Sequence, residues 1–277
     1  MTDTDKKEVS FDFPERKPIS FYISHVDTGE MGAFDKPPQH IHNECEMYIH
    51  LGGDVAFMVE DRLYSLEHGS IIISRPGEYH HCVYYSDRHH DFYWILLKAE
   101  GNEELLPLFF DRPKGHGNKI DLGSDGFGRV KKICEWFTKG GGSLIEAETK
   151  LMELLDTVQS GKQVTQSTDL PPDVSLSLSY IKEHIASPVT VEELAGKAFV
   201  SVNTLERHFA DSLKMSPREY LRRVRLSKSE ELLRSDLSIG QISDLCGFAD
   251  HSHFISVFRK HYGLTPLQYR KALAQNK

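Results

Sequence analysis

Three groups of side chains have types and spacings that could do chemistry. The first is His40-Ile41-His42-Asn43-Glu44-Cys45-Glu46, an H-x-H-x3-E run. Side chains alternate along a strand, so residues 40, 42 and 46 share one face. Farther on, Gly69…Pro76-Gly77-Glu78-Tyr79-His80 supplies a second histidine-bearing strand. Imidazoles with a carboxylate suit a divalent transition metal, Mn, Fe, Ni, Zn or Cu, with no selectivity readable from residue type. The same groups suit hydrogen bonds to the hydroxyls of a small ligand. Tyr48, Trp94 and Tyr79 could line one cavity with them, although core packing is the ordinary role of each alone. The second group is His89-His90-Asp91. Its members are consecutive and point to opposite sides, so it reads as a surface turn. The third group lies near the C-terminus. Val202, Asn203, Glu206 and Arg207 open one amphipathic helix, with Leu205 and Phe209 on the opposite side. His251, Ser252, His253 and Ser256 open another, with Phe254, Val257 and Phe258 inward. Arginine pairs bidentately with guanine, asparagine with adenine, and glutamate accepts from cytosine. Lys214, Arg218, Arg222, Arg259, Lys260 and Arg270 have the charge for phosphate contacts, with a solvated helix face as the alternative for each.

The elements that must position these groups can be read from periodicity and punctuation. From about residue 18 to 98, short apolar stretches (Val55–Val59, Ile71–Ile73, Phe92–Leu97) alternate with turn signals at Gly52-Gly53, His68-Gly69 and Pro76-Gly77. That spacing predicts an all-β barrel or sandwich. From about 102 to 159 the period becomes helical, with Leu144, Ala147, Leu151, Leu154, Leu155 and Val158 on one face. This stripe needs a partner, either its own barrel or the same helix of a second subunit. Ser160 to Asp173 is polar, carries a Pro pair and has no periodicity, which predicts a linker. The remainder is helical. Capping boxes at Thr190/Glu193, Ser216/Glu219, Ser238/Gln241 and Thr265/Gln268 mark four helix starts, and Ser201 and Asp250 are N-caps for two more. The order short helix, brief turn, helix occurs twice around a long helix, which is the helix-turn-helix arrangement. The pattern F-x6-[ST]-P-x2-Y recurs at an offset of 49 residues, as Phe209…Tyr220 and Phe258…Tyr269.

The whole chain is consistent with this division. Its 277 residues suffice for two domains. The net charge of -8 is uneven: residues 173–277 carry 15 Lys and Arg against 12 Asp and Glu, whereas the rest is acidic. A mildly basic end on an acidic body fits nucleic-acid binding by that end alone. The polar, charged first ten residues and the lack of a long apolar run predict a cytoplasmic protein without membrane association. Cys45, Cys82, Cys134 and Cys246 are scattered and read as reduced, mostly buried thiols.

The segment from Arg225 to Lys271 resembles the signature of AraC/XylS-type transcription regulators, most clearly in Gly247-Phe248, Phe258 and Gly263…Thr265-Pro266…Tyr269. The resemblance covers about Val174 to Lys271. It implies two helix-turn-helix units on one central helix, about 217–234, whose second helices enter successive major-groove segments. The first unit departs from the pattern: Ala210 follows Phe209, and Lys214 stands where Gly would relieve a left-handed C-cap. The two histidine strands resemble both motifs of the cupin barrel. That resemblance implies that His40, His42, Glu46 and His80 face inward, where metal-binding cupins hold one divalent ion. It also implies that His40, His42, Glu46, Tyr48 and His80 line an effector pocket for a small molecule such as a sugar.

The reading is thus a multidomain chain: a cupin-like effector-sensing barrel (1–100), a helical dimerisation segment (101–160), a linker (161–173) and an all-α double helix-turn-helix domain (174–277). It is a non-enzymatic, effector-controlled transcription regulator and homodimer, acting as an activator beside RNA polymerase by family resemblance. The rival is a metal-dependent cupin enzyme with a helical assembly tail. A third reading is a constitutive DNA-binding protein with an unresponsive barrel.

Overall fold

A computed structural model describes residues 20–28, 44–86, 89–98, 103–140, 142–165, 167–168 and 170–275. Among the described residues, the N-terminal half begins with seven strands: β1 (Phe21–Asp27), β2 (Glu44–Gly52), β3 (Val55–Val59), β4 (Arg62–Ser65), β5 (Ile71–Ser74), β6 (His80–Tyr84) and β7 (Asp91–Lys98). After them come α1 (Pro107–Phe110), β8 (Lys119–Asp121), α2 (Gly123–Thr138), α3 (Leu144–Gln159) and β9 (Lys162–Val164). All strand pairs are antiparallel. One sheet runs β1-β7-β2-β5-β8-β9 and the other β4-β3-β6.

Alternation decides what each sheet face meets. From β2, Tyr48 points to the second sheet and packs with Phe57, Val59, Tyr64, Ile72 and Phe92. Cys45, Met47 and Ile49 point the other way, into a core closed by α2 and α3. Both faces of β2 are therefore buried, continuously from Cys45 to His50, although Glu46 and His50 on its inner face are polar. The outer face of the second sheet is covered differently. Ala56, Met58, Leu63, Tyr79 and Val83 share one core with residues from the C-terminal helices.

Two expectations need correction here. The segment 102–159 is not helical throughout, because β8 adds to the large sheet through Ile71↔Ile120. Residues 161–173 are not an unpatterned linker. β9 pairs with β8, Thr168 bridges Leu63, and the Thr168 hydroxyl lies 2.8 Å from Ser65 Oγ. The chain is laid along the barrel until α4 begins. The polar composition reflects an exposed sheet edge, which looks like a loop when its pairing partners are remote in sequence.

The C-terminal half consists of α4 (Pro172–Glu183), α5 (Val191–Lys197), α6 (Val202–Leu213), α7 (Pro217–Leu232), α8 (Ile239–Leu245), α9 (His251–Tyr262) and α10 (Pro266–Gln275). The caps fall where the sequence puts them: Thr190, Ser201, Ser216, Ser238 and Asp250 each accept from the backbone N–H three residues on. At Thr190 the reciprocal half of the box is replaced, since Glu193 instead accepts from the Tyr180 hydroxyl at 2.5 Å. Two small cores result. Phe209, Leu205, Leu213 and Leu194 anchor the first, and Phe254, Phe258, Ile242 and Leu226 the second. Among the described residues, no helix is long and apolar enough to cross a membrane.

Candidate nucleic-acid interface and barrel site

In both units a helix-turn-helix is built by the same device. The helix preceding the turn ends in a paired-bond cap: Val200 N donates to Ala195 O and Phe248 N to Ser243 O, both at 3.0 Å. The residue at the bend is left-handed in each case, Phe199 at φ 57° and Gly247 at φ 74°. Such a cap favours glycine because a Cβ crowds the following carbonyl. Gly247 has a second reason. A Cβ there would lie 2.4 Å from the Ile185 carbonyl oxygen. That carbonyl also accepts from Arg225 Nε at 3.2 Å, and Arg225 reaches Ser187 O as well, at 2.5 Å. Arg225, on the central helix, thereby ties the loop of the first unit to the bend of the second.

The second helices of the two units, α6 and α9, present their N-terminal ends to solvent. Asn203, Glu206 and Arg207 are exposed on α6, and His251, Ser252, His253 and Ser256 on α9. Val202 is half-buried against the first core. His251 Nε2 lies 2.9 Å from Asp244 Oδ1, which holds the first residue of α9 to α8. Arg259 and Lys260 flank a shallow groove with Ser252, Ser256 and Ile255. Exposed Ile255 is a candidate contact that its apolar type concealed in the sequence.

The expected phosphate contacts divide into two sets. Arg218, Arg259 and Lys260 are exposed. Arg222 is exposed too but pairs with Glu219 on its own helix. Arg270 is placed otherwise: its guanidinium donates to Leu233 O at 3.1 Å and Leu237 O at 2.6 Å, securing α10 to the end of α7. Lys214 also turns away. It adopts the left-handed cap (φ 54°), and its ammonium sits 5.1 Å from the Tyr85 ring centroid, on the barrel. Neither role is visible in sequence, because each depends on a partner tens of residues away.

The barrel interior brings two of the expected inward groups together. His80 Nε2 lies 3.3 Å from Glu46 Oε2, and both side chains are buried. His80 Nδ1 lies 2.8 Å from the Glu78 carbonyl oxygen, which can only accept. Nδ1 therefore carries a proton, and in the neutral ring Nε2 presents a lone pair to Glu46. Ser74, opposite Glu46 in the β2–β5 pair, has a buried hydroxyl with no hydrogen-bond partner. Tyr48 lies on the same inner face, stacked on Phe92. His40 and His42 lie outside the described residues. Tyr79 is not part of this cavity: it points out of the barrel, where its ring meets Tyr220 edge-on at 5.9 Å. The His89-His90-Asp91 group is not a simple surface turn either, since His90 is only 1% exposed and Asp91 begins β7.

Glu78, whose importance was not legible in the sequence, is fully buried beside this site. Arg112 donates to both its oxygens, at 2.7 and 2.6 Å, and Gly115 N and Asn118 Nδ2 add two more bonds. Burial alone would raise its pKa. The Arg112 hydrogen bonds and charge, with the Gly115 and Arg75 N–H groups, outweigh burial and hold it below 4.5.

The barrel and the first helix-turn-helix unit also meet directly. Tyr85 Oη donates to Ser212 O at 3.2 Å. The buried Glu60 carboxylate accepts from Tyr79 N and lies 3.1 Å from Lys182 Nζ on α4 and 3.2 Å from Lys114 Nζ. The barrel thus grips the C-terminal end of α6 and the start of α7, leaving the N-terminal end of α6 open.

Two family models match this chain. The AraC-like ligand binding domain matches residues 33–134 and the helix-turn-helix domain residues 194–272. The HTH-type transcriptional activator RhaS of Klebsiella pneumoniae (strain 342) is 32% identical over 125 residues, which is 45% of this chain and 45% of that protein. RhaS of Salmonella arizonae is 24% identical over 246 residues, 84% of this chain and 87% of that protein. The first match thus spans less than half of the relative, the second most of it. A transcriptional regulator from Chromobacterium violaceum with an AraC-type DNA-binding domain is 33% identical, with a TM-score of 0.36. Its match covers 38% of this chain and 96% of that structure.

Proposed function

We infer that this chain, an AraC-type transcription regulator by the match of both its domains, reads specific double-stranded DNA sequences and activates transcription when its N-terminal domain binds a small molecule. The carrying observation is the pair of capped helix-turn-helix units on one central helix, each with an exposed N-terminal end of its second helix. Such ends are the parts that meet base edges in the major groove. Asn203 and Arg207 carry the sharper base-reading chemistry, so the first unit sets most of the specificity and the second positions.

The effector is polar. Glu46, His80 and the unpartnered Ser74 hydroxyl on the inner face suit ligand hydroxyls, as of a sugar. The RhaS relatives are transcriptional activators, and the enzyme reading finds no support among them. The donor set also fits a metal. Glu46 and His80, with His40 and His42, would hold one divalent transition ion that polarises a bound hydroxyl. Control passes along α6, because its far end is held by Tyr85 of the barrel. The active form is a cytoplasmic homodimer working beside RNA polymerase. Leu144 at the start of α3 is 85% exposed, although Leu151, Leu154, Leu155 and Val158 of the same stripe are buried, and Ile145 beside it is exposed too.

The test is selection of binding sites from random duplexes with the full chain, followed by titration at several salt concentrations. A defined site is expected, and selection of no preferred sequence would remove the reading. Arg207→Ala is expected to weaken that site by roughly 1–3 kcal/mol and to relax preference at one base pair. An equal loss on all sequences would make Arg207 a phosphate contact.

A further inference from the structure

We propose that Asp27, Asp91, His89 and His25 form a metal site on the rim of the large sheet, separate from the barrel interior, which takes one divalent transition ion of the Zn2+ type. The site joins the end of β1, the start of β7 and the residue two before that start. One ligand atom each from Asp27, His89 and Asp91 lie within 4.8 Å of one another. His89 Nε2 is 2.7 Å from Asp27 Oδ1, and His25 Nε2 is 2.8 Å from Asp91 Oδ1.

The backbone holds this cluster in place. Asp27 and Asp91 are register partners in the β1–β7 pair, so their side chains leave the same face. Like charges directly opposite one another oppose strand pairing, and a cation between them reverses the sign. The loop bearing His89 is latched on both sides. Thr28 N donates to His90 O at 2.9 Å, and His90 N donates to Thr28 Oγ1 at 2.8 Å. The same loop presses against Gly53, where a Cβ would lie 2.5 Å from the His90 ring and 3.0 Å from the His89 carbonyl oxygen. Only glycine, at φ 113°, allows that approach. His25 in turn stacks on Tyr93 at 4.5 Å between ring centroids. Two strands and a loop thus bring two imidazoles and two carboxylates together before any ion arrives.

The donor set selects the ion class. Two imidazoles with two carboxylates favour Zn2+, Ni2+, Co2+ or Cu2+ over Mg2+ and Ca2+, which prefer oxygen alone. Bonds to such ions are about 2.0–2.2 Å long, so paired ligand atoms must lie no more than roughly 4.4 Å apart. Small rotations of the partly exposed Asp27, His89 and Asp91 side chains close the remaining gap, and His25, outside that 4.8 Å group, is brought toward the same ion by its contact with Asp91 Oδ1. Metal binding replaces the direct contact within each His–Asp pair. Its structural effect is to rivet β1, the edge strand of the sheet, to β7.

The experiment strips the full-length chain with a chelator, then titrates it with Zn2+ by equilibrium dialysis while following its thermal midpoint. Asp27→Asn combined with His89→Ala alters only exposed side chains, and its metal-free melting should match the parent. The expected result is the loss of one bound Zn2+ per chain, or a weakening of more than about tenfold, with loss of the Zn2+-induced rise in melting temperature. If the barrel set also takes an ion, the parent binds two and the variant one; otherwise the counts are one and none. An unchanged count and affinity in the variant would overturn the proposal. So would parent binding weaker than about 100 μM, which would mean an adventitious surface ion only.

Discussion

At the scale of single residues, the left-handed positions separate the two helix-turn-helix units. The bend of the second unit is Gly247, whereas the first places Phe199 there, 93% exposed and at φ 57°. An L-residue in this conformation costs about 1 kcal/mol, and nothing in the fold repays it, because the ring is in solvent. Phe199→Gly is therefore expected to stabilise the chain by about 1 kcal/mol, raising its melting temperature by a few degrees. A fall in melting temperature on differential scanning calorimetry would show that the ring is held by contacts after all. Lys214 has the same strain but uses it, because the left-handed cap aims its side chain at Tyr85. The motif departure at Lys214 was legible in the sequence. Its consequence was not, because the partner ring belongs to the other domain.

At the scale of elements, Glu78 ties the loop between α1 and β8 to the barrel through Arg112, Gly115 and Asn118. Removing one member of a buried, fully hydrogen-bonded ion pair leaves the other charge uncompensated, which costs about 3–5 kcal/mol. Glu78→Gln is expected to lower unfolding free energy by that order in urea titrations at pH 7. The sign of the pH effect follows from the depressed pKa. The stabilisation is fully present above 4.5 and is lost as pH falls through the lower native value. His50 adds to the acid limb earlier, since burial lowers its pKa to about 4 and the unfolded chain takes up its proton from about pH 6.5 downward. A parent chain whose stability is flat from pH 7 to 3 would contradict both attributions. The motif Pro76-Gly77-Glu78-Tyr79-His80 announces a strand and a turn, and within it Tyr79 and His80, not Glu78, have the types and spacing that point to a site. Arg112 lies 34 residues away and carries no local signal, so the Glu78 network became visible only on folding.

At the scale of the molecule, one continuous core joins the smaller sheet to the first helix-turn-helix unit. It is edged by the buried Glu60 and its partner Lys182, and by Tyr85 with Ser212 and Lys214. Reversing Lys182 to Glu while truncating Tyr85 to Ala places like charges together and removes the hydroxyl bond, without entering either domain's own core. The variant is expected to be cut by protease in residues 165–171 at least about tenfold faster than the parent, with fragments that stay folded. Equal cleavage rates would mean that the apolar core alone holds the domains. If the seam transmits the effector signal, the variant's DNA affinity should no longer depend on ligand.

The sequence by itself determined the parts that rest on local rules. Caps at Ser201, Ser216, Ser238 and Asp250, the 49-residue repeat, and the sides of α6 and α9 left open to solvent follow from hydrogen-bonding needs and a 3.6-residue period. Strand alternation likewise put Glu46 on the inner face of β2. Tertiary structure alone decided which charged groups were available. Arg270 and Lys214 turn to a backbone carbonyl pair and an aromatic ring, and Tyr79 leaves the barrel for Tyr220. It also turned an apparent linker into a strand. The physical reason is common to all four. Caps and periodicities are set by neighbours a few residues away, whereas a side chain's or a sheet edge's final partner is whichever complementary group packing brings within reach.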